Sequence, residues 1–210
     1  GKLWHTLLYG IDPHHSDVLE LCASVEARNV QDAARILRQL IHSGYTMPYD
    51  VDSAGNWVGT GRHPNVAELA TAFAKHNSLP ARVDADDEMA GMRVFLAQEW
   101  YNPHSMADVI SVAHTAGGFA VLAHPGRSKG VYAIPADADD ITRMVAAGLD
   151  GIEVFYPAHT AAQTAFLLAQ AQQHNLLISG GSDSHHPDQP LSQWDATPML
   201  PLIRRCGVRI

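Results

Sequence analysis

The chain has 210 residues, 46% of them hydrophobic and 17% charged, with a formal net charge of −8 at pH 7. That length buries roughly 70% of the unfolded surface, so folding needs neither a disulfide nor a structural zinc, and the composition excludes a disordered or collagenous chain. No apolar run approaches roughly eighteen residues, which excludes a membrane-spanning helix, and the acidic balance argues against a stable DNA complex held by a basic surface.

Cys22 and Cys206 lie far apart with no CxxC, which predicts free thiols in a reducing, cytoplasmic compartment. Residues 1–10 lack the features of a signal peptide. Histidine is abundant, with 13 against 14 lysines and arginines together. It is the commonest metal ligand and the usual acid/base group near neutral pH.

In chain order, residues 2–11 (KLWHTLLYGI) read as a buried strand broken by Asp12-Pro13. Residues 16–42 follow with helical spacing at Ala33, Ile36, Leu37, Leu40 and Ile41, stopped by Gly44. Residues 45–61 are loop-like, with Pro48 and three glycines at 55, 59 and 61. Residues 65–76 form an amphipathic helix capped by Asn65, and 82–100 a largely helical stretch. After Pro103 the pattern alternates. Helices are expected at 105–115, 140–147 and 160–174, and apolar strands at 119–123, 151–156 and 176–179. Such alternation predicts an α/β fold, a parallel sheet or barrel covered by helices. The expected division is a barrel portion from 1–15 and 103–210, with 16–102 as a mostly helical insertion.

In α/β folds the chemistry gathers where strands end. The first expected strand after Pro103 runs into His124-Pro125-Gly126-Arg127, the second into Pro157-Ala158-His159, and the third into Gly180-Gly181-Ser182-Asp183-Ser184-His185. In an extended segment residues i and i+2 share a side, so Asp183 and His185 can serve one metal or two neighbouring ones; the alternative is a surface turn. His124 reads as a metal ligand, or as a strand-end histidine bonded to a carbonyl. Arg127 offers a planar fork to a phosphate, and Lys129 is a weaker phosphate candidate. His159 reads as an acid/base or substrate-contacting group, or as a helix-start surface residue. Glu153, flanked by apolar residues, must be paired or face a polar interior. His5 alone reads as a core histidine. There is no P-loop, GxGxxG, HExxH or GxSxG pattern.

Together AHPGR (123–127), GLDGIEVFYPAHT (148–160) and GSDSH (181–185) resemble, in order and spacing, the PHP (polymerase and histidinol phosphatase) domain family. The nearest branch is the bacterial metal-dependent phosphoesterases, which include nucleotide 3′,5′-bisphosphatases and 5′–3′ exoribonucleases. The resemblance implies a distorted (β/α)7 barrel with two or three divalent metal ions, manganese or else zinc or iron. It implies metal ligands at His5, His124, Asp183 and His185, a catalytic role for Asp183 and His159, and phosphate recognition by Arg127 and His159. It implies hydrolysis of phosphate esters of nucleotides or short RNA through a metal-activated water. The family's opening His-x-His motif and bridging glutamate are not among these residues, so the barrel is expected to be N-terminally incomplete, with an open edge suited to self-association. Two further readings are a catalytically inactive PHP-like remnant and a metal-dependent hydrolase of amidohydrolase type.

Overall fold

A computed structural model describes residues 2–54, 57–59, 62–79, 87, 89–128, 135–189, 191–192 and 194–209. The chain divides into two compact units, one mainly Cys22–His104 and the other mainly Trp4–Leu21, Ser105–Ser128 and the chain after residue 134.

The first unit is helical. It contains most of α1 (Ser16–His42), α2 (Val66–His76) and α3 (Met89–Ala97). The apolar stripe of α1 buries Ile36, Leu37 and Leu40 with Leu69, Phe73 and Phe95, as the helical period requires. Phe73 and Phe95 stack at 5.7 Å between centroids. Gly91 is needed because a Cβ there would collide with the Ala70 carbonyl. Asn65 caps α2, and Glu68 bonds back to the Asn65 N–H. Residues 45–61, expected to be loop, contain a short antiparallel ladder, β2 (Asp50–Val51) with β3 (Trp57–Val58). Two residues per strand are too few for a period of two to register in the sequence. Part of the helix expected over 82–100 falls on residues 82–86 and 88, outside the described residues.

The second unit is a sheet in the order β1–β4–β5–β6: β1 (Thr6–Tyr9), β4 (Phe119–Leu122), β5 (Gly151–Phe155) and β6 (Leu177–Gly180). The strands β4, β5 and β6 are parallel. Helices α4 (Met106–Thr115), α5 (Ala138–Ala146) and α6 (Ala161–His174) supply the connections and cover. Each begins at a side-chain cap, Ser105, Asp137 and Thr160, that accepts the N–H three residues on. Ile110, Leu122, Ile141, Ile152, Val154 and Leu167 fill the core between them.

The first strand departs from expectation twice. It covers four residues, each half-buried, rather than a buried run over 2–11. It also pairs antiparallel with β4, Thr6 opposite Leu122. A connection of about a hundred residues is not bound by the crossover geometry that makes β–α–β units parallel. The reversal decides the site, because the start of β1 now lies beside the end of β4. Among the described residues the ladder ends at β1 and β6.

Candidate functional site

Three parallel strands deliver their carboxyl ends to one edge of the sheet, and antiparallel β1 adds its amino end there. His5 immediately precedes β1, and its carbonyl accepts the Ala123 N–H at 3.0 Å. His5 Nδ1 therefore faces His124 Nε2 at 3.1 Å, with the rings edge-on at 5.0 Å. The sequence alone read His5 as core; the resemblance paired it with His124, and the geometry brings the two together.

His124 is buried, with φ +28, a value unusual for a residue with a side chain. Burial, then the neighbouring His5 ring, lower its pKa to about 4. Burial by surrounding protein, then the Arg127 guanidinium, also lower that of His5, although part of this residue still reaches solvent. Both imidazoles are thus neutral near pH 7, the form in which a nitrogen can ligate a metal.

Glu153 holds this geometry in place. Its side chain is 4% exposed, and one carboxylate oxygen accepts the His124 backbone N–H at 2.7 Å. The other faces Gly181, where a Cβ would stand 2.8 Å away. One carboxylate so bonds across the ends of β4 and β5 and packs against the glycine that follows β6. Burial pushes its pKa up, and the His124 N–H opposes that.

Asp183 lies beside the histidines. Its Oδ2 accepts the Tyr156 hydroxyl at 3.2 Å and stands 3.6 Å from Arg127 Nη1. The Tyr156 ring packs 5.5 Å from His124 and 5.0 Å from His159. Sequence reasoning missed Tyr156; its only signal was its place at the end of GIEVFY. His185 behaves differently. The segment is not extended at Asp183, whose φ is +50, so the rule of i and i+2 sharing a side does not hold there. His185 Nδ1 instead meets the Asp183 carbonyl at 2.7 Å and stands 3.6 Å from Asp183 Oδ1, with its side chain 78% exposed.

The ring of His159 is held at both nitrogens. Nδ1 donates to the Val154 carbonyl at 2.9 Å, and Nε2 accepts the Gly126 N–H at 3.0 Å. Neither is free toward a substrate in this arrangement; the ring instead ties the Gly126–Arg127 turn to the end of β5. A Cβ on Gly126 would come within 2.9 Å of that ring, so the close approach requires glycine. Lys129 lies outside the described residues.

The donor set suits a divalent cation. His5 Nδ1 and His124 Nε2 are hydrogen-bonded at 3.1 Å, and two imidazole nitrogens on one ion would stand at about that separation once the shared proton is lost. Imidazole with carboxylate suits manganese, iron or zinc. Among the described residues no three His, Cys, Asp or Glu side chains are grouped to hold one ion.

No family model matches the chain. A phosphoribosyl 1,2-cyclic phosphate 1,2-diphosphodiesterase of Eggerthella lenta is 28% identical over 194 residues, 88% of this chain and 67% of that protein. A 3′,5′-nucleoside bisphosphate phosphatase of Chromobacterium violaceum is 32% identical over 53% of this chain and 37% of its own length. A 5′–3′ exoribonuclease of Escherichia coli is 35% identical over 46% of this chain and 31% of its own. The matched part is thus about two thirds of the first relative and about a third of the other two. Among solved structures, a candidate metal-dependent phosphoesterase from Bifidobacterium adolescentis is similar over 95% of this chain and 70% of its own, at TM-score 0.58 and 22% identity. An amidohydrolase from Chromobacterium violaceum, solved with bound sulfate and no metal, is similar over 97% and 71%, at TM-score 0.60 and 25% identity. The fold is shared with both, and the three sequence relatives all carry names of enzymes that cleave phosphate esters. Among the described residues no helix is long and apolar enough to cross a membrane.

Proposed function

We propose that the chain belongs to a metal-dependent phosphoesterase that hydrolyses phosphate esters of nucleotides or short oligonucleotides. Its four strands are read as part of a distorted (β/α)7 barrel of PHP type. The observation that carries the proposal is the neutral histidine pair, His5 and His124, 3.1 Å apart at the strand ends that also hold Arg127 and Asp183.

In this reading His5, His124, Asp183 and His185 would supply ligands to divalent cations, with no three of these side chains grouped on one ion in the structure itself. When bound, the metal would supply a water of lowered pKa and neutralise phosphoryl charge. The chain's own residues do the rest. Arg127 orients the phosphate through a charge-assisted pair. Tyr156 keeps Asp183 in place through its hydroxyl. Glu153 fixes the backbone of His124, as the outer partners of metal ligands do. His159 sets the turn that carries Arg127, so its role is positioning.

The test is metal content together with phosphate release. The purified chain is incubated with manganese, zinc or iron, desalted and analysed for bound metal, then given a nucleoside 3′,5′-bisphosphate. Two or more ions held per chain, with manganese-dependent phosphate release, support the proposal. Less than about half an ion per chain and no release would overturn it for this chain.

An amidohydrolase-type activity is the second reading, favoured by the likeness to the Chromobacterium structure. Arg127 beside Asp183 and His124 favours an anionic ester over a neutral amide. Cleavage of a panel of amides without phosphate release would reverse that preference.

A further inference from the structure

Tyr156 and His159 also line a cavity of about 470 Å³. Its walls are aromatic: Phe155, Tyr156 and Trp194, with the small side chains of Ala161 and Ala165 on α6. Trp194 packs on Phe155 at 6.0 Å between centroids, yet remains 39% exposed. The indole thus stands accessible at the wall of an open, mainly apolar depression.

We infer that this cavity is a nucleobase subsite in which a flat aromatic base stacks on Trp194 while its phosphate reaches Arg127. The inference rests on the phosphoesterase reading and deepens it. Three features carry it. First, Tyr156 belongs to both places: its ring lines the cavity and its hydroxyl donates to Asp183, which stands 3.6 Å from Arg127. Base and phosphate subsites are thus one tyrosine ring apart. Second, His159 offers the cavity only ring surface, because both its nitrogens are engaged with backbone. Third, the lining carries little else that is polar beyond the Thr164 hydroxyl. Recognition is therefore by stacking, which tolerates any base, and the subsite distinguishes a nucleotide from a base-free phosphate ester rather than one base from another.

The experiment compares KM and kcat for a nucleoside 3′,5′-bisphosphate and for ribose 5-phosphate, with manganese present, in the unaltered chain and in Trp194→Ala and Trp194→Phe. Trp194→Ala raises KM for the nucleotide about tenfold and leaves that for ribose phosphate unchanged; Trp194→Phe restores most of the loss. Ala165→Leu, which narrows the cavity from α6, gives the same selective loss. In parallel, adenosine without phosphate is titrated against tryptophan fluorescence, and saturable quenching disappears in Trp194→Ala. Equal effects of Trp194→Ala on both substrates, or no quenching that depends on Trp194, would overturn the subsite. If the unaltered chain hydrolyses neither ester, the phosphoesterase reading fails, and the adenosine titration still decides the base subsite by itself.

Discussion

The backbone N–H of His124 donates to the buried carboxylate of Glu153 at 2.7 Å, across the ends of two neighbouring parallel strands. This bond holds a residue with side chain at φ +28, a conformation that persists only where surrounding structure fixes it. Glu153→Ala leaves that N–H unpaired in a buried place and costs about 1–3 kcal/mol of stability. Glu153→Gln keeps an acceptor and costs less. Thermal unfolding of the two variants checks the order, with Tm falling about 2–4 °C per kcal/mol for a chain of this size. Metal affinity falls about 10–100-fold in Glu153→Ala, as for other outer partners of metal ligands.

Stability of the metal-free chain depends on pH through the buried histidines. The pKa of His124 is lowered from 6.5 to about 4, and those of His5 and His159 are lowered as well. Between the two His124 values the unfolded chain binds a proton that the folded chain does not, so stability rises with pH. The contribution is complete above about pH 6.5 and lost as pH falls toward 4. For His124 it is on the order of 3 kcal/mol. Denaturant unfolding at pH 7 and pH 5 in the presence of chelator measures it. His124→Asn flattens the dependence; an unchanged slope would refute the assignment.

Removing either facing imidazole should abolish tight metal binding. His5→Ala and His124→Ala each lower affinity for manganese or zinc by more than about 100-fold, exceeding the effect of an outer partner. Isothermal titration reads the affinity. Circular dichroism checks that half-exposed His5→Ala stays folded, which keeps the result interpretable even where buried His124→Ala loses stability.

Arg127 is 3.6 Å from Asp183 and half-buried. Loss of a charge-assisted bond to phosphate amounts to about 1.5–3 kcal/mol, so Arg127→Ala raises KM for a phosphate ester roughly 10–100-fold. Arg127→Lys recovers only part, because an ammonium lacks the planar fork. Steady-state kinetics at saturating metal separates the KM effect from kcat.

His159 serves the turn rather than the proton transfer. His159→Ala leaves the Gly126 N–H and the Val154 carbonyl without their partner. The expected outcome is a lower kcat/KM with both limbs of the pH–rate profile unmoved. Disappearance of one limb would make His159 an acid or base in the reaction.

Part of the fold and of the candidate site is legible in the order of residues. The helix starts at Ser105, Asn65 and Thr160 were readable because a cap is a local bond between near neighbours. The ends of β4, β5 and β6 were readable because short apolar runs stop at Gly, Pro and His. Those ends carried His124, Arg127 and Asp183 into view together, since parallel strands present their carboxyl ends on one edge. Other features were not legible. His5 and His124 are 119 residues apart, and they meet only because β1 runs antiparallel to β4. Alternation along a strand reveals which faces are apolar, but not which neighbour it pairs with or in which direction. The turn at Asp183 folds His185 back onto the Asp183 carbonyl through a backbone angle that residue types do not dictate. The cavity lined by Phe155 and Trp194 needs the two rings to meet across the chain. Local bonding chemistry was thus written in the order of residues. Strand direction, register and the meeting of side chains were decided by non-local hydrogen bonds and packing, which form only when the whole unit folds.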